Sequence, residues 1–242
     1  MEPWQERSEM LLGQEGLERL ACSRVAVVGL GGVGGMAAEM LVRAGVGHIV
    51  LIDADTVSES NLNRQLPALR STLGMSKCSV MRRRLLDINP ALDVMCIEQY
   101  LNEESIPAIM GQAAPDCVVD AIDTLSPKIA LIQYCLGKGI FLVSSMGSGS
   151  KTDATKVRIA DIAATFQCPL AHMLRKRLHK LGITTGFTAV FSTERPDRSS
   201  VVLEESRNKK SQTGTVSYLP AVFGCVCAQG IIRHIVGMEV NC

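Results

Sequence analysis

The chain has 242 residues, 25 Lys and Arg against 24 Asp and Glu, a formal net charge of +1 and 47% hydrophobic residues. That length and apolar content support a full core and exclude general disorder, and the near-neutral balance excludes a nucleic-acid coat that is basic all over. The nine cysteines are scattered with no Cys-x-x-Cys pair, so a four-thiolate zinc site has no ligand spacing to start from.

In chain order, the first seven residues carry two acids and lead into no apolar run, so no signal peptide is expected. A reducing cytoplasm is the expected compartment, with most cysteines acting as small buried hydrophobes. Residues 25–28 read as a buried strand, followed by a glycine loop and a helix through 36–41. A second strand is expected at 48–53. A helix over 77–87 is stopped by Asn89-Pro90, and strands follow at 94–97 and 117–120. Ser126-Pro127 opens a helix to about 136, with Pro at the favoured first position, and 140–143 is a fifth strand. Tyr134-x-x-x-Lys138 has a reductase-like spacing, but the tyrosine falls on a packed amphipathic face and reads as structural.

This alternation predicts an α/β chain, a Rossmann-like and mostly parallel sheet with crossover helices. After residue 144 the pattern becomes irregular. Residues 145–150 are turn-rich, 169–181 read as a helix with Leu170, Leu174, Leu178 and Leu181 on one stripe, and 187–191 as a strand. Residues 195–213 are polar and expected to be mobile. Residues 222–235 form the most apolar tail segment, interrupted by Gln229, Arg233 and His234, so no membrane span is expected. The expectation is a single domain over 1–242. Its first part, about 1–150, binds a nucleotide, and a C-terminal extension, about 151–242, completes the substrate site.

Val28-Gly29-Leu30-Gly31-Gly32-Val33-Gly34 places Gly-x-Gly-x-x-Gly directly after a strand and before a helix. Gly29, Gly31, Gly32 and Gly34 let the backbone approach phosphates at a helix N-terminus, and Asp53 ends the next strand where it can accept a ribose hydroxyl. One reading is a nicotinamide-dependent dehydrogenase. The residues after Asp53 favour another: Asp55, then Asn61, Arg64 and Gln65, then Lys77, then Asp120-Ala-Ile-Asp123. A dehydrogenase needs no such cluster. An enzyme splitting ATP between its α and β phosphates does, because negative charge develops on the phosphorus and the departing pyrophosphate. Arg64 supplies bidentate donors, Lys77 a point charge, and Asp123 hard oxygen ligation for Mg²⁺.

These motifs together resemble the ubiquitin-activating-enzyme superfamily and its bacterial molybdopterin- and thiamine-synthesis relatives. The resemblance spans roughly residues 7–147. It implies ATP and Mg²⁺ handling by Asn61, Arg64, Lys77 and Asp123, and a homodimer in which an N-terminal arginine, here Arg7, crosses to the partner's site. The stretches 7–13, 120–128, 169–180 and 190–194 are most similar to the branch that dehydrates threonylcarbamoyladenosine beside the anticodon of tRNA. That branch adenylates the nucleoside's carboxylate and closes a ring with loss of AMP. Some members carry a cysteine before the last helix. Residues 208–215 here have none, so the resemblance supplies no thioester nucleophile and little reason to expect a sulfur-transfer partner. The alternatives are adenylation of a sulfur-carrier protein's C-terminal glycine, and a non-catalytic nucleotide-binding scaffold.

A near-neutral protein that grips tRNA must gather its phosphate contacts locally. Arg175, Lys176, Arg177 and Lys180, with His172 and His179, crowd the helix at 169–181 and are the first candidates. Arg82, Arg83 and Arg84 are a second group and Arg207, Lys209 and Lys210 a third. Gly147-Ser-Gly-Ser-Lys151 lacks phosphate-loop spacing and reads as a crossover bordering the nucleotide, while Phe191, Thr193 and Glu194 are candidates to meet the modified base.

Overall fold

A computed structural model describes residues 2–203 and 211–240. The five apolar runs form parallel strands β1 (Arg24–Val28), β2 (His48–Ile52), β3 (Asp93–Ile97), β4 (Cys117–Asp120) and β5 (Phe141–Ser145). The later part of the chain adds β6 (Val157–Asp161) and β7 (Thr188–Ser192) to the same sheet, in the order β3-β2-β1-β4-β5-β7-β6. Only β6 runs antiparallel, against β7. Strands β8 (Val201–Leu203) and β9 (Ser211–Thr213) make a separate antiparallel pair. The helices are α1 (Glu6–Cys22), α2 (Gly34–Ala44), α3 (Lys77–Ile88), α4 (Ile106–Ala113), α5 (Leu125–Lys138), α6 (Pro169–His179) and α7 (Tyr218–Ile235).

The strands read as continuous apolar runs because both faces of the sheet are covered. Val25 and Val27 of β1 point into a core shared with α1, α2, α3 and α7. Their neighbours Ala26 and Val28 point into a second core with α4, α5 and α6. Each fully buried Val, Leu or Ile contributes roughly 1.5–3 kcal/mol of transfer free energy. The chain runs outward from β1 through β2 to β3 and then returns to the other side of β1 as β4. That reversal opens a crevice at the carboxyl ends of β1 and β4, where α/β sheets bind ligands.

Helix α7 lies directly on the start of α2. A Cβ added at Gly224 would stand 2.4 Å from the Val33 carbonyl oxygen and 3.0 Å from the Ala37 nitrogen. By length and composition alone α7 could cross a membrane. In the fold its Leu219, Phe223, Cys227 and Ile231 are fully buried in the first core, which accounts for its apolarity.

The structure departs from the sequence expectations in several places. Helices α1 and α4 and strands β6, β8 and β9 were not anticipated, and β8 and β9 fall within 195–213, where a mobile segment is expected. Pro127 stands third in α5, after Leu125 and Ser126 and an N-cap at Thr124. Its missing N–H is still one of the helix's unpaired first-turn donors, so the position is tolerated. Helix α6 ends at His179, because the Leu181 and Ile183 amides both turn back to the Leu178 carbonyl and Gly182 takes a φ of +76°. Its buried stripe is Ala171, Leu174 and Leu178, while Leu181 is exposed. Arg207, Lys209 and Lys210 lie outside the described residues.

Candidate active site

The glycine loop turns tightly out of β1. Gly29 adopts a φ of +88° and donates its amide to the Ile52 carbonyl at 2.8 Å. Gly34 begins α2 so close to that turn that a Cβ there would lie 1.7 Å from the Gly29 carbonyl oxygen, which no side chain survives. Val33, at the N-cap of α2, offers no side-chain cap, and of the first-turn amides that of Gly35 donates to the Gly31 carbonyl at 3.0 Å. Asp53 follows β2 and braces the loop, accepting from the amides of Leu30 at 2.6 Å and Asp55 at 2.8 Å. Burial raises its carboxyl above the ordinary pKa, and the Lys77 charge offsets part of that rise.

The short 3₁₀ turn Glu59–Asn61 and helix α3 bring the cations in. Asn61 is buried and its Oδ1 accepts the Ser58 amide at 3.1 Å. Arg64 donates twice from Nη1, to the Ser60 carbonyl at 3.0 Å and to Asn63 Oδ1 at 2.9 Å. A guanidinium has five N–H donors, so this aims the fork without exhausting it. Lys77 is buried at the first turn of α3 and pairs with Asp55 Oδ2 at 2.8 Å. Gln65 beside the glycine loop has a buried side-chain oxygen, Oε1, with no hydrogen-bond partner. A buried acceptor left alone costs about 1–3 kcal/mol, and a bound donor would recover it.

Below Asp123 lies a fully buried ion pair. Asp120 Oδ2 stands 2.7 Å from Lys128 Nζ, and neither side chain is exposed. The same carboxylate accepts the Ser144 hydroxyl at 2.7 Å and the Ile122 amide at 3.0 Å. Lys128 also donates to the Ile122 carbonyl at 2.9 Å, so the pair shapes the turn that carries exposed Asp123.

Gly29, Asp53, Asp55, Asn61, Arg64, Gln65, Lys77 and Asp123 all border one cavity of about 1940 Å³. Clefts for a single small molecule run to roughly 300–1,000 Å³, so this one has room for a larger substrate beside a nucleotide. The rest of the wall comes from residues 99–101, the start of α5, the loop at 145–150 and the C-terminal part of the chain, including Lys151, Phe166, Cys168, His172, Arg175 and Arg195. Lys151 is buried, donates to the Gly147 carbonyl at 2.6 Å, and has its pKa lowered by burial. Glu194 accepts the amides of Thr152 at 3.1 Å and Asp153 at 2.8 Å, which fixes the loop carrying Lys151. Phe191, read from the sequence as a candidate to meet the modified base, is buried in β7. Its ring backs the exposed Phe166.

Arg7, Arg84, Tyr134, Lys138, Lys176, Arg177 and Lys180 do not border the cavity. Arg7 lies exposed on an N-terminal arm of α1 that bends at Gly13, next to the strongly exposed Met10 and Leu11. Arg84 pairs with buried Glu39 at 2.5 Å. Burial would raise the Glu39 carboxyl, but Arg84 and Arg43 hold it below its ordinary pKa. Tyr134 packs against the second core, as the sequence reading has it, and Lys138 closes α5. On α6 Arg175 turns inward, with Nη1 donating to the carbonyl and hydroxyl of Thr165. Lys176, Arg177 and Lys180 are exposed. Cys78, Cys117, Cys135, Cys168 and Cys227 are buried, and burial pushes the Cys117 and Cys135 thiols up to about 12, away from nucleophilic thiolate. Cys22 and Cys225 are exposed and Cys96 is intermediate.

Sequence reasoning gave no role to Lys128 or Phe166 and placed Lys151 only within a loop bordering the nucleotide. Lys128 left a legible signal, since it occupies the buried stripe 128, 131, 132 and 135 of α5, where a lone lysine demands a carboxylate.

The model of the ThiF family matches residues 6–242. The tRNA threonylcarbamoyladenosine dehydratase of Bacillus subtilis (strain 168) is 40% identical over 237 residues, covering 95% of this chain and 93% of that protein. The enzyme of the same name from Escherichia coli (strain K12) is 40% identical over 201 residues, 79% of this chain and 75% of that one. A crystal structure of the E. coli tRNA N6-threonylcarbamoyladenosine dehydratase in complex with ATP superposes with a TM-score of 0.88 at 34% identity, covering 98% of this chain and 96% of that one.

Proposed function

The chain belongs to the ThiF family, and from that premise we propose that it activates the carboxylate of threonylcarbamoyladenosine in tRNA with ATP and closes it to a ring with net loss of water. The observation that carries this reading is the convergence of Arg64, Lys77 and Asp123 with the glycine loop around one cavity. In the first step a carboxylate oxygen bonds to the α-phosphorus and the bond to the β-phosphate oxygen breaks, releasing pyrophosphate. In the second a carbamoyl nitrogen bonds to the acyl carbon, loses its proton, and AMP departs.

The residues present suit ATP. The uncapped start of α2 suits phosphate, Asp53 a ribose hydroxyl, and the unpartnered Gln65 Oε1 an N–H or O–H of the nucleotide. Arg64 and Lys77 would stabilise the charge that develops as pyrophosphate leaves. Among the described residues no three His, Cys, Asp or Glu side chains form a metal site of their own. That suits Mg²⁺ held mainly by substrate phosphates, which asks the protein for only one or two carboxylates, here Asp123. When bound, the ion would neutralise phosphate charge.

We further infer a homodimer in the cytoplasm, with Arg7 offered from the exposed arm of α1 to the partner's nucleotide. ATP–pyrophosphate exchange, run separately with threonylcarbamoylated tRNA and with a sulfur-carrier protein, tests the substrate. Exchange with the carrier alone would overturn the tRNA reading.

On α6 successive side chains point roughly 100° apart, so Arg175, Lys176 and Arg177 cannot share one phosphate-binding face. Lys176 and Arg177 are the exposed pair. Changing both to Ala is expected to weaken tRNA binding and to reduce the slope of log affinity against log salt by roughly 0.7 for each phosphate no longer neutralised, with ATP binding unaltered. An unchanged slope would return both residues to a solvated helix surface.

A further inference from the structure

We propose that Phe166 is a stacking platform for an unpaired nucleobase of the tRNA loop that carries the modified adenosine. This deepens the tRNA reading above and rests on it.

A single exposed aromatic is ordinary on a protein surface and by itself says nothing. Phe166 differs in how it is mounted. It is 53% exposed at the wall of the large cavity, and its ring meets Phe191 edge to face, with centroids 5.6 Å apart and planes at 69°. Phe191 is 2% exposed within β7, so the support is part of the core. The backbone beside the ring is tied down as well. The Thr165 hydroxyl donates to the Ile162 carbonyl at 2.7 Å, and Arg175 reaches from α6 to hold the Thr165 carbonyl and hydroxyl. On the other side Gln167 is held at a φ of +57°, a left-handed conformation that costs a non-glycine residue free energy. A ring fixed on both flanks with its free surface turned to the cavity loses little entropy when a flat partner lies on it.

Three observations select a nucleobase of the RNA as that partner. The cavity exceeds what one nucleotide fills, as its volume shows. Arg175 and His172 of α6 border it next to Phe166, which suits a polyanionic chain whose bases splay out and stack on aromatic rings. With the ribose read at Asp53, the position also lies away from the adenine of ATP. Phe166 leans on β7, three strand spacings from β1 along β1-β4-β5-β7, on the order of 14 Å from the glycine loop's strand. Asp53 follows β2, on the far side of β1. Arg175 is thereby a positioning residue for the platform.

The test uses the full chain with threonylcarbamoylated tRNA. Phe166→Ala is expected to raise the Kd for tRNA roughly 5- to 150-fold, the range for one base–aromatic stack, with ATP affinity and thermal midpoint unchanged. Phe166→Trp should retain affinity, and Phe166→Leu should bind as weakly as the Ala variant. Trp4 is the sole tryptophan, so Phe166→Trp in a Trp4→Phe background reports on the platform directly. Its fluorescence should be quenched by tRNA and not by ATP. Unchanged tRNA affinity in Phe166→Ala, full affinity in Phe166→Leu, or quenching by ATP alone would overturn the proposal. A wild-type protein that forms no AMP with this tRNA would sink the functional reading and the platform together, whereas an active wild type with an indifferent Phe166→Ala sinks the platform only.

Discussion

Asp123→Ala, Arg64→Ala and Lys77→Met are each expected to cut AMP formation on threonylcarbamoylated tRNA by roughly 100- to 1000-fold at saturating ATP. Removing one preorganised charge contact from a developing phosphate charge typically costs about 3–4 kcal/mol of transition-state stabilisation, which is that factor in rate. The fold should survive. Asp123 is exposed, Arg64 is half-buried in a surface turn, and the Asp55 carboxylate released by losing Lys77 stays largely in solvent. Met keeps the aliphatic length that Lys77 buries. The measurement follows AMP and pyrophosphate together, beside a thermal melt. Wild-type rates in any one variant would remove that residue from the chemistry. Loss of rate with a lowered melting temperature in all three would mean that the cluster is structural.

The second large effect is expected on stability. Lys128→Met leaves the Asp120 carboxylate fully buried without its counter-charge, and breaking a buried pair from one side costs about 3–5 kcal/mol. Against a total stability of roughly 5–15 kcal/mol this is a substantial part of the whole. A denaturant titration should show the midpoint falling with the slope unchanged. Asp120→Asn combined with Lys128→Met should recover part of the loss, because the lone charge is then gone. An unaltered midpoint in Lys128→Met would show that Ser144 and the Ile122 amide suffice for Asp120. Activity should fall too, since Lys128 also holds the Ile122 carbonyl in the turn before Asp123.

The parallel strands were legible because burial on both faces writes them as unbroken apolar runs. The glycine loop, Asp53 and Lys77 were legible because each sits at a strand end or helix start that those runs locate, and Arg64 and Asp123 through the run of motifs that follows Asp53. What the sequence hid depends on contacts between distant segments. Strand β6 reads Val-Arg-Ile-Ala-Asp and becomes a strand only because β7 is there to pair with it. Arg175 stands among exposed cations on α6, and nothing in its own neighbourhood shows that it turns to Thr165 ten residues earlier. Phe191 read as a candidate base contact, yet it is buried in β7 against Phe166, because burial of a strand residue is decided by the layer packed over it.

The contact between Gly224 and the start of α2 has a kinetic side. The nucleotide loop is formed from residues near the beginning of the chain, yet the helix it feeds is covered by residues 218–235. Closing so long a stretch of chain carries a larger entropic penalty than any neighbouring strand pairing, and such non-local contacts form slowly. The side of α2 around Val33 and Ala37 that meets Gly224 gets its cover from α7 rather than from the sheet. The start of α2 therefore takes its final cover from a segment far away in sequence, and local strand pairings do not supply it.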